Sequence, residues 1–177
     1  MADVAVRAAR PADVPEIARI QIETWRTAYR RFLPASVLAA LDQEQAAAAW
    51  GAAVREPPSP AHHVLVATEG DTLVGFAAVG PSEEEDAAPG EAAVAALLVE
   101  PRWGRRGHGS RLLAATVEYL TADAMTRLVA WVPDGDRASA AFYESAGWER
   151  DGLVRTLEDE GGTVRENRWH VSLTEAA

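Results

Sequence analysis

The sequence predicts an α/β fold: a mixed, mostly antiparallel central sheet of about seven strands flanked by helices on both faces. Three observations predict it. Apolar strand-like runs fall in hairpin order, a single strand-helix-strand crossover follows Glu91–Val99, and stretches with helical spacing lie between the strands. The 177 residues suit one domain and can bury a core without covalent staples.

Val4–Ala8 is short and apolar and reads as a strand. Pro11 then stands at the first position of a helix, where its missing N–H is no loss, and Val14, Ile17, Ile20, Thr24 and Ala28 follow at helical spacing. Leu33-Pro34 breaks that pattern. A second helix is expected behind it, with Val37, Leu38, Leu41, Gln45, Ala48 and Ala49 on one face, until Pro57, Pro58 and Pro60 end it. His63–Thr68 and Thr72–Val79 form a hairpin around Glu69-Gly70-Asp71, and Ser82–Gly90 is an acidic exposed loop. Glu91–Val99 is a strand whose apolar continuity predicts burial on both faces. Gly107–Leu120 is a helix, Arg127–Val132 a buried strand, and Asp136–Ala146 a helix ended by Gly147. Trp148–Leu157 and Val164–Leu173 are the last strands, around a Glu158–Gly162 turn, and the tail from Thr174 is expected to fray. The domain thus divides into 1–60, a strand and two helices, and 61–173, the core of the sheet.

There is no cysteine, which excludes disulfides, thiolate metal ligands and a cysteine nucleophile; no metal is expected. Met1–Arg10 has no apolar leader segment, and the longest apolar run, Ala92–Val99, is far short of the roughly 20 residues that span a bilayer. A cytoplasmic protein with no membrane partner is expected. The net charge is −10, and lysine is absent. That balance argues against nucleic acid as a partner and favours a cationic one such as an amine. Yet Arg102, Arg105, Arg106 and Arg111 cluster just after the central strand.

That cluster belongs to Leu97-Leu98-Val99-Glu100-Pro101-Arg102-Trp103-Gly104-Arg105-Arg106-Gly107-His108-Gly109-Ser110-Arg111, where a buried strand turns into a helix. Gly107 and Gly109 allow a ligand close to the backbone. The free N–H groups and positive dipole at the helix start attract an anion. Together with Arg105 and Arg106 they make a diphosphate cradle. It is not a P-loop, which needs lysine, nor a dinucleotide fingerprint, whose third glycine is Leu112 here.

The stretch resembles the signature of the GNAT N-acetyltransferase superfamily, R/Q-x-x-G-x-G/A before a leucine-rich helix. Val99 and Pro101 fall where members often carry V-x-P, and the first signature position, usually Gln or Arg, is Gly104. Downstream, Asp136-Arg137-Ala138-Ser139-Ala140-Ala141-Phe142-Tyr143-Glu144-Ser145-Ala146-Gly147-Trp148 resembles the family's N-x-x-A-x-x-F-Y-x-x-x-G-F, with Asp136 for Asn, Ser139 for Ala and Trp148 for Phe.

The resemblance implies a GNAT-like sheet and acetyl-CoA as co-substrate. Backbone amides from Arg106 through Gly107, His108 and Gly109 to Ser110 would hold the pyrophosphate beside Arg105, and the edge at Leu98 and Val99 would pair with the pantetheine arm. Asp136 and Ser139 would lie near the co-substrate. Phe142 would pack inward, and Tyr143 would stabilise or protonate the leaving thiolate. Many relatives carry a Glu as base on the central strand, at the position of Ala93. Glu91, two residues earlier on the same face, is the candidate if a slip or bulge brings it into place; ordered water is the alternative. Trp25 and Tyr29, four residues apart, either wall an amine-acceptor pocket or pack the first helix on the second. Dimers are common in such families, so a homodimer is allowed.

Three functions fit these residues. The first is N-acetyl transfer to a primary amine of a small molecule, peptide or protein. The others are a non-catalytic acyl-CoA-binding or sensing domain, suggested by Ala93, and a structural protein that keeps only the fold.

Overall fold

The computed structural model describes residues 3–159 and 162–174. Its strands are β1 (Val4–Ala8), β2 (His63–Glu69), β3 (Thr72–Pro81), β4 (Glu91–Val99), β5 (Arg127–Pro133), β6 (Glu149–Asp159) and β7 (Gly162–Ser172). They form one seven-stranded sheet in the order β1-β2-β3-β4-β5-β7-β6. All neighbours are antiparallel except β4 and β5, which are parallel because α4 (His108–Ala122) crosses between them. This is the mixed sheet that the pattern of elements predicts.

Neighbouring residues on a strand face opposite ways, and the two faces recruit different helices. Ile17 and Ile20 of α1 (Val14–Thr27) are fully buried against Val66, Phe76 and Leu98, and Trp50 of α3 (Gln43–Arg55) meets the Phe76 ring edge-on at 5.0 Å. On the opposite face, Leu112 of α4 packs on Leu65, Val74 and Ala77. Leu113 and Leu120 join Leu128, Ala130, Val132 and Tyr143, the last from α5 (Arg137–Ser145). Each such side chain contributes about 1.5–3 kcal/mol by leaving water. No described helix is long and apolar enough to cross a membrane.

The second expected helix is two: α2 (Ala35–Ala39) and α3. Asp42 takes an extended backbone (φ −138°, ψ 127°) and its carboxylate accepts the Gln45 N–H at 2.8 Å, which starts a new helix. The apolar spacing from Val37 to Ala49 runs on through that break and conceals it. The expected Glu158–Gly162 turn and the tail beyond Thr174 lie partly outside the described residues.

Strand β4 also departs from expectation. Glu91, Ala92 and Leu98 are buried, but Ala95 in its middle is exposed. Two irregularities cause this. β4 pairs with β5 only at Glu91↔Arg127, Ala92↔Leu128 and Ala93↔Val129, after which the strands part. On the other side, Ala78 lies opposite Ala96 and Val79 opposite Val94, so Ala95 is the extra residue of a bulge. The N–H and C=O groups of β4 that face the parted side have no strand partner.

β3 keeps β4 in place there through Gly75, where a Cβ would meet the Leu98 carbonyl oxygen at 2.7 Å and the Val99 Cα at 3.2 Å. Gly75→Ala is expected to destabilise the protein by about 1–3 kcal/mol. The urea midpoint measures this; an unchanged midpoint would show that β4 shifts freely.

Candidate active site

The loop in which the sequence places a diphosphate cradle lies at the mouth of the β4–β5 gap. After β4, a 3-10 turn (Pro101–Trp103) leads to Arg105 and Gly107, both left-handed at φ +62° and +83°, and then into α4. Gly107 adopts that conformation at no steric penalty. No side chain caps the helix, and its first backbone bond runs from the Arg111 N–H to the Gly107 carbonyl. The N–H groups of His108, Gly109 and Ser110 are therefore free for an anion.

The side chains of the loop are less free. Glu69, at the end of β2, accepts from Arg106 at 2.9 Å through one oxygen and is hydrogen-bonded to His108 Nε2 at 2.8 Å through the other. The His108 side chain is almost wholly buried there, so it anchors the loop and points away from the cradle. Arg106 also lies over the Trp103 ring at 5.0 Å, Arg102 pairs with Glu100, and Arg111 donates to the Arg106 carbonyl. Arg105 is exposed and makes no ion pair among the described residues.

Inside, the gap is a crevice of about 190 Å³ lined by Leu97 and Leu98 of β4, Ala130 and Val132 of β5, and Tyr143 of α5. Trp25 and Tyr29 close it from α1 and the turn behind it, and Trp25 and Tyr29 also pack against the core. Val99 lies just beyond, in a small cavity that also holds Tyr29, Asp136 and Ser139.

Asp136 caps α5. Its Oδ1 accepts the Ser139 N–H at 3.1 Å and its Oδ2 accepts the Ser139 hydroxyl at 2.7 Å. Tyr143 is 7% exposed, while Phe142, expected to be the inward residue, is only half-buried and covers Gly109. Burial pushes the Tyr143 phenol well above its usual pKa, and nearby Tyr29 and Asp136 add to the shift. Burial likewise raises the Tyr29 phenol, an effect that Ser139 opposes. Tyr143 thus stays a proton donor at any physiological pH.

On the α1–α3 face lies a wider cavity of about 660 Å³, walled by Trp50, Pro58, His62 and Ala93 and by Glu83 and Glu84 of the acidic loop. Val94, Ala95, Trp131 and Glu166 border both cavities and mark where they meet.

Glu91 borders neither. It is buried at the closed end of the gap, 3.5 Å from Arg127 and 3.8 Å from Arg168, and the bulge at Ala95 comes after it in the strand, too late to re-aim it. Glu166, which sequence reasoning passed over, does reach the junction. It lies in the polar run Arg165-Glu166-Asn167-Arg168, which reads as a solvated hairpin strand. Only the pairing of β7 with β5 shows that Glu166 sits beside Pro133 and Arg168 beside Trp131.

Residues 19–148 match the Acetyltransferase (GNAT) family. The chain belongs to that family. It is 30% identical over 147 residues to the uncharacterised N-acetyltransferase YuaI of Bacillus subtilis (strain 168), covering 83% of this chain and 81% of that one. It is 37% identical over 101 residues to the N-alpha-acetyltransferase RimI of Mycobacterium tuberculosis (strain ATCC 25618 / H37Rv), covering 57% and 61%. Among solved structures, an N-acetyltransferase from Staphylococcus aureus Mu50 superposes with a TM-score of 0.79 at 16% identity over 97% of this chain and 99% of that one. The yncA protein of Salmonella typhimurium, solved with its cofactor acetyl-CoA, gives 0.76 at 19% identity over 98% and 96%. As a GNAT acetyltransferase, this protein draws its acetyl group from acetyl-CoA. The free amides of α4 and the unpaired edge of β4 fit the diphosphate and the amide-bearing arm of that co-substrate.

Gly107→Glu sets a carboxylate and a Cβ at φ +83° in the cradle. It is expected to abolish acetyl-CoA binding in a protein that still folds, read by calorimetry beside circular dichroism. Unchanged affinity would remove the diphosphate from this loop.

Proposed function

We propose that this GNAT acetyltransferase passes the acetyl group directly from acetyl-CoA to a primary amine of a small molecule, peptide or protein, with the Tyr143 phenol as the acid. The observation that carries this is the parted β4–β5 gap, with the open N-terminus of α4 at its mouth and a buried phenol inside it. The diphosphate is held by the amides of His108, Gly109 and Ser110 and by Arg105. Arg106 contributes its backbone, since its guanidinium is committed to Glu69. The pantetheine arm lies along Leu98 and Val99. Asp136 and Ser139 fix the start of α5 and so the placement of Tyr143.

The amine nitrogen attacks the thioester carbonyl carbon, the carbon–sulfur bond breaks, the departing sulfur takes the phenolic proton, and the proton shed by the new amide nitrogen restores the phenol. Burial raises the Tyr143 phenol, so its proton is still on the oxygen when the sulfur departs. Trp25 and Tyr29 wall the acceptor side. Glu91 is assigned to the ion pairs with Arg127 and Arg168 and given no part in the chemistry. We place the reaction in the cytoplasm, because its product, free CoA, is a thiol that a reducing compartment preserves. A homodimer is compatible with this site, which one chain completes.

Two measurements test the reading. Calorimetric titration should show acetyl-CoA bound in the micromolar range, and a screen of primary amines should find at least one that makes the protein release CoA thiol; no binding would overturn the assignment. Tyr143→Phe should lower kcat by roughly 100-fold with little change in acetyl-CoA affinity. A rate unaltered at every pH would strip Tyr143 of the acid role.

A further inference from the structure

We propose that Glu166 is the catalytic base: its carboxylate takes the proton from an ammonium that arrives through the wide cavity under the acidic loop. This rests on the acetyl-transfer reading above and adds to it the residue and the route on the acceptor side.

The carboxylates near the gap differ in what they are already bound to. Asp136 is occupied by Ser139 through both oxygens. Glu84 accepts from the Trp131 indole through one oxygen and from Arg168 at 2.7 Å through the other. Glu91 lies between Arg127 and Arg168 at the closed end and borders neither cavity. Glu166 is 9% exposed, and Arg155 donates to its Oε1 at 2.8 Å. Its Oε2 has no hydrogen-bond partner among the described residues. Glu166 is thus the carboxylate that borders both cavities and keeps an oxygen free. His62 borders only the wide cavity, with Nδ1 held by the Ser59 hydroxyl at 2.8 Å.

Position supports the same role. Side chains of directly paired residues share a face, so Glu166, paired with Pro133, and Arg168, paired with Trp131, lie on one side of the sheet. Ala130 and Val132 alternate with those residues on β5 and pack with Tyr143 on the other side. The acid and the base therefore face the gap from opposite sides, and a thioester in the gap lies between them.

The charged groups around Glu166 are Arg155 on β6, Arg168 on its own strand, and Glu83 and Glu84 on the acidic loop. The Arg155 guanidinium lies over the Trp131 ring at 4.4 Å, which fixes the partner of Oε1 and leaves Oε2 unpaired among the described residues. Trp50, Ala53, Pro58 and Trp131 give the cavity an apolar stretch of wall. The acceptor class that fits is an ammonium on an apolar stem, drawn in by Glu83 at the cavity wall. Glu166 takes one proton from the ammonium, and the neutral nitrogen then attacks the carbonyl carbon. As the carbon–sulfur bond breaks, the new amide nitrogen loses a second proton. One proton ends on the CoA sulfur by way of Tyr143, and the other leaves to solvent.

The test compares wild type, Glu166→Gln and Glu166→Asp by thiol release at neutral pH, with acetyl-CoA affinity measured separately by calorimetry. Two acceptors are used: ethylamine, an ammonium ion at that pH, and trifluoroethylamine, which has nearly the same shape but is neutral. Glu166→Gln should lose roughly 100-fold in kcat/KM with ethylamine and only about threefold with trifluoroethylamine. Its acetyl-CoA affinity should hold, and Glu166→Asp, which keeps a carboxylate, should recover part of the ethylamine rate. Equal losses with both acceptors would make Glu166 a positioning residue, and no loss with either would remove it from the reaction; both results overturn the proposal. Wild type that binds acetyl-CoA yet releases no thiol with any amine overturns the transfer reading itself, and the base with it.

Discussion

β4 leaves β5 after three paired residues, and the rest of the molecule is arranged around that parting. A parallel pair that ends early leaves a row of N–H and C=O groups on β4 without partners, and unpaired groups of this kind are costly once they are taken from water. The neighbouring pairings do not allow the gap to close. β3 holds β4 through Val99 by a contact that Gly75 makes close, β7 holds β5 along its whole length, and the bulge at Ala95 turns the middle of β4 outward. A co-substrate arm that carries its own amides would satisfy the exposed edge. In that sense the sheet is one strand short, and in the proposed reading the arm is the partner that completes it.

The two ends of the gap are fixed by different electrostatic arrangements. At the closed end, Arg168 donates from Nε to Asp151 at 2.6 Å and from its NH1 nitrogen to Glu84 at 2.7 Å, while Arg127 bridges Asp151 and Glu91. These groups are largely buried, and removing one member of such a set costs about 3–5 kcal/mol, whereas an exposed pair contributes about 0–1 kcal/mol. A guanidinium can serve two carboxylates at once, which an ammonium does less well, and this gives the lysine-free composition a physical use. At the open end a single carboxylate, Glu69, holds both Arg106 and His108, and the loop presents its amides as a result. Arg105 is left exposed, with no ion pair among the described residues.

Local signals carried the sequence reading a long way. The strand Glu91–Val99, the glycine-rich turn and the start of α4 follow from residues within twenty positions of one another, and they are placed as the spacing predicts. The second helix misled because Asp42 interrupts an apolar rhythm that continues on both sides of it. Phe142 and Tyr143 exchanged places for a similar reason: helical spacing shows that they diverge, but which of them turns inward depends on where β5 lies. Glu91 became a candidate by counting along its own strand. The structure sets it beside Arg127 and Arg168, which lie 36 and 77 positions later in the sequence, on β5 and β7. No count along one strand reveals such partners.

Glu166 makes the same point with a functional consequence. With alanine at 93 and 95 and valine at 94, β4 offers only small apolar side chains to the wide cavity, so the volume beneath the acidic loop stays open between Trp50 and Trp131. A base on β4 would fill that space from the middle of the sheet. A base on β7 reaches the gap from beyond β5 and leaves the floor of the cavity to the substrate. Moving the carboxylate two strands along the sheet therefore keeps the base within reach of the thioester while freeing room for the stem of the amine. The alanine that first suggests a ruined site is, with Glu166 in place, what makes room for an acceptor.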